Sequence, residues 1–300
     1  MAKVTPMKCA LNKTAENNPM YKHQRKIHGS RLVIDRGFLL TRHSDVPVNY
    51  KYPELLEQLE EFFPEYKSSR IDGEVAGLDE NGIPRLGLIN KRNMKDEFKI
   101  KLQSQLNPIT WFVFDITVFN GKDIRDVRLD ERAINKDSYL LSNAGETENI
   151  KILKWYDDGE KLFKDYTLKG GEGIVSKKID SPYIDNYEGE YWTKTKRQVD
   201  SVPCTIIGVT HKNSLILMKN GFYHGKVYPI NGQPSIYPSW LAHRLEQFKI
   251  PDVSIDVPEK ICNEAKFWVN PIITVEVTFF EENVNPVFER LRLEDSNIIL

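Results

Sequence analysis

The chain has 300 residues, of which 40% are hydrophobic and 28% are charged, as is usual for a soluble globular protein of one large domain or two. The formal net charge of −1 does not indicate a nucleic-acid-binding protein, and no apolar run approaches the length of a membrane span. The first eight residues contain no apolar signal segment, so we expect a protein with no membrane attachment.

The three cysteines, Cys9, Cys204 and Cys262, are widely spaced, odd in number and lack the spacing of metal ligands. Such cysteine usage is typical of a reducing compartment. We therefore expect three buried thiols and a cytoplasmic protein, in a bacterium or a phage-infected host.

Charge is unevenly distributed along the chain. Residues 1–31 contain seven Lys and Arg residues against the single acid Glu16, whereas residues 251–300 contain ten acids against four bases. A basic N-terminal part is compatible with phosphate contacts, and a solvated basic surface explains it equally well.

Strand-like runs rich in Val, Ile, Phe, Tyr and Thr dominate the first two thirds of the chain. They are Arg31–Ile34, Phe38–Thr41, Asp72–Leu78, Thr110–Phe119, Lys151–Tyr156 and Gly173–Lys177. The segments Glu80-Asn81-Gly82 and Phe119-Asn120-Gly121 predict tight turns. Apolar spacing predicts three helices, Pro53–Phe63, Arg132–Leu141 and Gly159–Leu168, the last with a left-handed cap at Gly170-Gly171.

The pattern changes after Arg197. Strands are predicted at Pro203–Thr210, Ser214–Lys219 and Ile272–Phe280, with a helix at Trp240–Phe248. These elements are consistent with a small five-stranded barrel of the oligonucleotide-binding kind, although composition equally permits one continuous α+β domain. We place the boundary near residues 198–202.

Five short motifs follow one another along the chain. They are Lys26-Ile27-His28-Gly29-Ser30-Arg31, Asp72-Gly73-Glu74, Phe114-Asp115, Glu172-Gly173-Ile174-Val175-Ser176-Lys177 and Trp192-Thr193-Lys194-Thr195-Lys196. In this order and spacing they resemble the motifs of covalent nucleotidyltransferases. The resemblance is to ATP-dependent DNA ligases first, with RNA ligases and mRNA-capping guanylyltransferases as relatives.

The resemblance extends from about Pro19 to Arg292 and implies an α+β fold. It implies an antiparallel-sheet nucleotidyltransferase (adenylation) domain over residues 1–200, followed by a small OB-fold β-barrel domain over residues 201–300. The expected protein is a minimal two-domain ligase of the type found in phages, viruses and some bacteria, without appended domains.

Lys26 is then the nucleophile that becomes covalently attached to AMP. A lysine amine attacks phosphorus only when it is unprotonated, yet its ordinary pKa is about 10.4, so it must be desolvated or surrounded by cations. The other motifs contain such cations: Arg31, Lys177, Lys194 and Lys196. Gly29 is expected to let the backbone approach a phosphate closely.

For the nucleotide, the resemblance implies that Glu74 hydrogen-bonds the ribose and that Phe114 stacks on adenine. Lys194 and Lys196 would contact the α-phosphate, and Lys177 would belong to the same ATP-binding set. An aromatic ring does suit a purine, and alternate residues of a strand point to one side. Taken singly, Phe114 could be plain core and Asp72-Gly73 only a turn.

For the remaining positions, the resemblance implies that Arg31 and Arg42 bind phosphate of the adenylate or of a nick. Glu172 would help to hold Mg²⁺ or Mn²⁺, which prefer oxygen ligands. Near the end of the chain, Arg290 and Arg292 match the last ligase motif, which orients the pyrophosphate leaving group. The acid-lysine pair that usually follows it is replaced by Glu294-Asp295-Ser296.

His28 departs from the family pattern, because DNA ligases and capping enzymes almost always have Asp at this position. A His there is typical of RNA ligases, whereas Ser30-Arg31 and Arg42 are typical of DNA ligases. Loss of a carboxylate beside Lys26 removes an anion and an oxygen ligand. His28 could instead hydrogen-bond a hydroxyl or a phosphate.

The sequence therefore predicts an ATP-dependent DNA ligase that acts as a monomer on nicked duplex DNA, with functions in DNA repair, replication and recombination. One alternative is an RNA ligase or a GTP-dependent capping enzyme. Another is a non-catalytic nucleic-acid-binding protein of the same fold. Retention of Lys26, Glu172, Lys194 and Lys196 argues against the last, because binding alone needs no nucleophile.

Overall fold

The computed structural model describes residues 5–42, 44–133, 137, 147–197, 202–227, 239–271, 273–278 and 287–291, without the side chains of residues 239, 240, 242, 278 and 287–291. The chain divides into two compact units, Met1–Arg197 and Gln198–Leu300. Both contain helices and sheets whose strand pairs are mostly antiparallel, which confirms the α+β class. In the described residues, no helix is long and apolar enough to cross a membrane.

The first unit contains two sheets. Its described strands are β1 (Lys8–Leu11), β2 (Tyr21–Arg25), β3 (Ser30–Asp35), β4 (Phe38–Thr41), β5 (Arg70–Leu78), β6 (Pro84–Arg85), β7 (Ile109–Phe119), β8 (Lys122–Asp123), β9 (Ile150–Ile152), β10 (Gly173–Lys178) and β11 (Glu188–Lys196). One sheet has the order β1-β11-β10-β2, in which β1 and β11 are parallel. The other has the order β4-β3-β5-β7-β8, with β6 paired to β5 and β9 paired in parallel to β7.

The helices of this unit alternate with the strands along the chain. They are α1 (Pro53–Phe62), α2 (Leu86–Ile89), α3 (Glu97–Leu106), α4 (residues 129–133) and α5 (Gly159–Leu168), with 3-10 turns at Asn49–Lys51, Pro64–Ser68 and Asn90–Arg92. The prediction of α5 is confirmed, and its end at Gly170 has the expected positive φ of 88°. The predicted helix Arg132–Leu141 begins earlier, at residue 129, and residues 134–136 and 138–141 lie outside the described residues.

The second unit is one sheet in which every described strand pair is antiparallel. Its strands are β12 (Val202–Thr210), β13 (Leu215–Lys219), β14 (Phe222–Val227), β15 (Lys249–Ile250), β16 (Ala265–Val269), β17 (Thr274–Thr278) and β18 (Val287–Leu291). Its helices are α6 (Ser239–Leu245), a 3-10 turn at Glu246–Phe248, and α7 (Glu259–Glu264). The sheet order is β14-β13-β12-β16-β15, and β17 joins β12 to β18.

Several predictions of local structure are wrong. The predicted strand Lys151–Tyr156 is reduced to Ile150–Ile152, and α2 and α3 were not predicted at all. Apolar periodicity missed α3 because Phe98, Ile100 and Leu102 alternate with polar residues, a spacing that does not favour a helix. The expected burial of the cysteines holds for Cys204, but Cys9 is only partly buried and Cys262 is exposed; all three are free.

Strand β7 determines where the site lies, because its side chains alternate between two buried faces. Trp111 and Val113 belong to a core that includes Leu55 and Leu59 of α1. Phe112 and Phe114 point to the opposite face and pack in a different cluster, which includes Trp192 of β11. Both faces of β7 are therefore covered, and the Phe114 face lies between the two sheets.

A buried ion pair connects β7 to α4. Arg132 donates from Nε and Nη2 to the carboxylate of Asp115, at 3.1 Å each, and both side chains are at most 1% exposed. Arg132 also donates to the carbonyl oxygens of Val127 and Ser181. The Asp115 that follows Phe114 thus has a structural partner, and the pair holds the end of β7 in place.

We predict that Arg132→Met destabilises the fold by about 3–5 kcal/mol, because it leaves the Asp115 carboxylate buried without its counterion. Urea unfolding of the full chain measures the change. Arg128→Met is the matched control, since Arg128 pairs with Asp130 in an exposed position and should give no measurable change. A loss below about 1 kcal/mol in Arg132→Met, the range of surface pairs, would contradict this account.

Candidate active site

Lys26 lies directly after β2, in the loop that leads to β3. Its backbone N–H donates to the carbonyl oxygen of Gly173 at 2.9 Å, which fixes the loop against the start of β10. Its Nζ donates to Oε2 of Glu172 at 2.6 Å, and the side chain is 21% exposed. The lysine is therefore partly buried, held by backbone and side chain, and still open to solvent on one side.

Glu172 is shared by two lysines. Its side chain is 4% exposed, and Nζ of Lys196 lies 2.9 Å from Oε1, opposite the oxygen that Lys26 contacts. Burial alone would raise the pKa of Glu172, but Lys26 and Lys196 together hold this pKa below its usual value. The nearest charged partner of Lys26 is thus a carboxylate, and Lys196, one of the expected cations, contacts the other oxygen of the same group.

Close packing within the protein also requires a glycine at position 29. A Cβ at this position would lie 2.3 Å from the carbonyl oxygen of Val75 in β5, closer than any side chain can sit. At Gly73 a Cβ would lie 2.4 Å from Nε1 of Trp111. Gly73 thus makes room for Trp111 on the face of β7 opposite Phe114, and Gly29 allows close packing on β5; the expected approach of a phosphate to Gly29 stays a prediction.

Arg31 is fixed by a buried acid of the second motif. Its Nε and Nη2 donate to Asp72 at 2.6 and 2.5 Å, and the Tyr183 hydroxyl donates to the same carboxylate at 2.6 Å. The guanidinium carbon lies 4.6 Å from the centre of the Phe114 ring. Asp72 and Tyr183 were not predicted as site residues: Asp72 meets Arg31 through the pairing of β3 with β5, and Tyr183 reaches Asp72 from the segment between β10 and β11.

Phe114 and Lys177 form the floor of the pocket. The Phe114 ring is 9% exposed and meets Trp192 edge-on, with 6.0 Å between ring centres. Lys177 is 2% exposed, donates to the carbonyl oxygen of Phe114 at 3.3 Å, and has its Nζ 3.9 Å from the Trp192 ring centre. Lys177 is thus a buried cation among aromatic rings, beneath the pocket rather than at its mouth.

These side chains surround a small cavity of about 80 Å³. Its lining includes Gln24, Lys26, Arg31, Glu74, Phe114 and Lys177. Burial raises the pKa of Glu74 to about 7, and the nearby cations Lys26 and Arg31 offset this only in part. The cavity therefore combines an aromatic floor with hydrogen-bonding groups on its walls.

A basic groove of about 340 Å³ adjoins the cavity and shares Lys26, Arg31 and Glu74 with it. Its further cationic side chains are Lys8, Arg42, Lys194 and Lys196. Lys194 donates to the carbonyl oxygen of Cys9 in β1 at 2.7 Å, so the parallel pairing of β1 with β11 forms one wall. This concentration of positive charge suits a polyanion.

Three predicted site residues, His28, Arg290 and Arg292, do not line the cavity or the groove as the structure describes them. His28 is half-buried in the loop between β2 and β3. Arg290 lies in β18, but its side chain, like the whole of Arg292, falls outside the described residues. The structure thus brings the other predicted site residues together around one cavity and its groove. They are Lys26, Arg31, Arg42, Glu74, Phe114, Glu172, Lys177, Lys194 and Lys196.

Gln24 is a pocket residue that no motif indicated. It is 1% exposed, and its Nε2 donates to the carbonyl oxygen of Leu153 at 3.1 Å. Its Oε1 is buried without a hydrogen-bond partner among the described residues. A buried amide oxygen of this kind is costly unless a ligand donates to it, which makes Gln24 a candidate for ligand recognition.

We predict a pH-dependent effect of Glu74→Gln. The folded-state pKa of Glu74, about 7, lies above the ordinary value of about 4.3, so folding resists its ionisation. The contribution of Glu74 to the free energy of unfolding is fully present below about pH 4.3 and declines as the pH rises to about 7. The free energy of unfolding of wild type minus that of the variant should fall across this window, and parallel pH curves would contradict the assignment.

Comparison with known proteins agrees with this geometry. The family model of the ATP dependent DNA ligase domain matches residues 1–196. DNA ligase 2 of Methanosarcina mazei is 28% identical over 147 residues, covering 47% of this chain and 26% of that protein. The DNA ligase of Nitrosopumilus maritimus is 24% identical over 288 residues, covering 89% and 48%. The chain thus spans about half, or less, of the length of these curated relatives.

Solved structures share the fold. A mycobacterial DNA ligase D complexed with ATP and MES superposes with a TM-score of 0.57 at 20% identity, covering 96% of this chain and 95% of that one. A Lig E DNA ligase gives 0.56 at 16% identity, covering 95% and 100%. Because the family model covers well over half of the chain, the chain belongs to the ATP-dependent DNA ligase domain family.

Proposed function

We propose that the chain is an ATP-dependent DNA ligase that joins a 5′-phosphate to a 3′-hydroxyl at a nick in duplex DNA. The observation that carries the proposal is the position of Lys26, whose Nζ lies where the aromatic-floored cavity meets the basic groove and is held by Glu172 at 2.6 Å. A nucleophile at the junction of a base site and a phosphate site is the arrangement that nucleotidyl transfer requires.

In the first step the Lys26 amine attacks the α-phosphorus of ATP. A nitrogen–phosphorus bond forms, the bond to the pyrophosphate oxygen breaks, and pyrophosphate leaves. The lysine must lose its proton before attack; Glu172 orients the amine by its hydrogen bond, and the proton leaves to solvent on the side where Lys26 is open. Lys196, on the other oxygen of Glu172, is close enough to balance the charge of that carboxylate or of the phosphate.

In the second step the AMP moves from Lys26 to the 5′-phosphate of the nick, as the nitrogen–phosphorus bond breaks and a phosphate–phosphate linkage forms. In the third step the 3′-hydroxyl attacks the activated 5′-phosphate and AMP leaves. The groove cations Arg31, Arg42 and Lys194 are placed to stabilise the phosphate charge in each step. Arg31 is held for this by Asp72.

Recognition of adenosine is assigned to the cavity. Phe114 provides the aromatic surface, Glu74 provides an acceptor for a ribose hydroxyl, and Lys177 holds the floor from below. The amide oxygen of Gln24 can accept a hydrogen bond from the exocyclic amine of adenine, whereas guanine presents a carbonyl oxygen on that edge. This favours ATP over GTP, and so favours a ligase over a capping enzyme.

A divalent cation, Mg²⁺ or Mn²⁺, fits this site only together with the nucleotide. Among the residues that the structure describes, no cluster of three His, Cys, Asp or Glu side chains could hold a metal. Magnesium bound to nucleotides commonly uses one or two protein carboxylates with phosphate oxygens and water. Glu172 is the carboxylate that would serve, and the cation would neutralise phosphate charge.

The second unit, with its antiparallel sheet, is proposed to be the OB-fold domain, and residues 1–200 the adenylation domain. Arg290 and Arg292 would then contact the pyrophosphate of ATP. We also propose that the enzyme acts as a monomer. The free cysteines suit a cytoplasmic enzyme.

Ser30-Arg31 and Arg42 favour DNA as the substrate, whereas His28 keeps an RNA ligase as the second candidate.

We predict that the full chain seals a nicked DNA duplex in the presence of ATP and Mg²⁺, and that Lys26→Ala abolishes sealing because the nucleophile is lost. Lys22→Ala is the matched control, since Lys22 is an exposed lysine of the preceding strand that pairs with Asp157, and it should seal normally. Denaturing electrophoresis of end-labelled strands measures the product.

The same assay on a nicked RNA duplex and on a nick with a 3′-ribonucleotide tests the second candidate. Sealing of RNA with no sealing of DNA would overturn the choice of substrate. Sealing by Lys26→Ala would overturn the mechanism itself.

We predict that Gln24→Leu weakens the selection of ATP over GTP. The variant removes the acceptor for the adenine amine but keeps the approximate volume, so KM for ATP should rise about tenfold or more, as expected for one lost buried hydrogen bond. KM for GTP should change little. Adenylate and guanylate formation with labelled nucleotides measures both, and an unchanged ratio would remove Gln24 from base recognition.

A further inference from the structure

One face of helix α3 exposes a row of large apolar side chains. Phe98 is 79% exposed, Leu102 is 44% exposed and Leu106 is 64% exposed. Because they recur every four residues, they lie one above another along the helix. Ile100, the buried residue of the helix, lies on the opposite side. A surface helix usually turns such a stripe toward the core, but here it faces outward.

The helix that carries the stripe is firmly attached. The Asp96 side chain caps it by accepting from the backbone N–H of Lys99 at 3.1 Å. Arg92, only 1% exposed, donates to the carbonyl oxygens of Gln103 and Asn107 at 3.1 and 3.0 Å. The stripe is therefore a preformed surface, and binding would not need to order the backbone first.

The rim of the stripe is basic. Lys95, Lys99 and Lys101 are exposed. At 3.6 residues per turn, Lys99 and Lys101 lie on the two sides of the stripe. The acids Asp96 and Glu97 lie at the N-terminal end of the helix, where Asp96 also forms an exposed, solvent-screened pair with Lys99 at 3.7 Å. Electrostatic complementarity therefore favours an acidic partner.

The width of the stripe decides the kind of partner. The i+3 neighbours of Phe98 and Leu102 are Lys101 and Gln105, so the apolar face is a single row of side chains. A single row suits a seam between two packed helices, whereas helices that lie on membranes have a broad apolar face. A second copy of this chain would place lysines against lysines, and a nucleic-acid duplex bound through its phosphates would leave most of the apolar row exposed.

We propose that Phe98, Leu102 and Leu106 form a docking site for an acidic amphipathic helix of a partner protein. Helix α3 packs on α1, whose Leu55 and Leu59 belong to the core on the Trp111 face of β7. The cavity lies on the Phe114 face of the same strand. Docking thus leaves the nucleotide site open, as a recruiting contact requires.

The test is fluorescence anisotropy of the full chain with labelled synthetic helical peptides. A panel of acidic peptides carries leucines at i, i+4 and i+7 between glutamates, in three registers, and a matched panel has lysines in place of the glutamates. We expect the acidic panel to bind and the basic panel not to bind. Phe98→Asp/Leu102→Asp should weaken binding at least tenfold, and Lys99→Glu/Lys101→Glu should reverse the charge preference.

Leu168→Asp is the matched control, because Leu168 is another exposed leucine, 77% exposed, in α5, and it should leave peptide binding unchanged. All variants should keep the wild-type circular dichroism spectrum and nucleotide labelling, so a loss of binding does not reflect misfolding. No binding by any acidic peptide, or equal binding of both panels, would overturn the proposal. So would phosphatidylglycerol vesicle binding or sedimentation as a dimer that Phe98→Asp/Leu102→Asp abolishes.

Discussion

Glu172 is the group on which the candidate site depends, because one nearly buried carboxylate contacts two lysines from different parts of the chain. Lys26 comes from the loop after β2, and Lys196 from the end of β11. Strand β10, which Glu172 precedes, lies between β2 and β11 in the sheet. The order of the strands therefore brings the three charged groups together, and the carboxylate keeps two like charges close without leaving them uncompensated.

The other sheet of the first unit, β4-β3-β5-β7-β8, supplies the rest of the site through a separate set of buried polar contacts. Asp72 in β5 orients Arg31, and Asp115 in β7 anchors Arg132. These acids are not reactive groups. They hold the strands that present Glu74 and Phe114 to the cavity, and removing either would leave a charge buried without a counterion. In each of these motifs, one residue holds the strand in place, and its neighbour faces the cavity: Asp72 beside Glu74, and Asp115 beside Phe114.

Much of this arrangement could be predicted from sequence, since local signals were strong. Prolines, glycines and apolar spacing located α1, α5, β3 and β4, and motif order indicated that Lys26, Glu172 and Lys196 meet. The pairing of Lys26 with Glu172 joins residues 146 positions apart, and no spacing specifies which partner a lysine takes. Gln24 was missed because its importance lies in an unsatisfied oxygen, a property of packing. Helix α3 was missed because Ile100 falls between Phe98 and Leu102 and interrupts their helical spacing.

The central claim is that Lys26 itself becomes bonded to AMP. The most direct measurement is tandem mass spectrometry of the full chain after incubation with ATP and a divalent cation, followed by digestion under alkaline conditions that preserve a phosphoramidate. We expect one AMP per chain, on the peptide that contains Lys26, and release of that AMP in acid. An AMP group on any other residue, or a chain that binds ATP and never forms a covalent adduct, would contradict it.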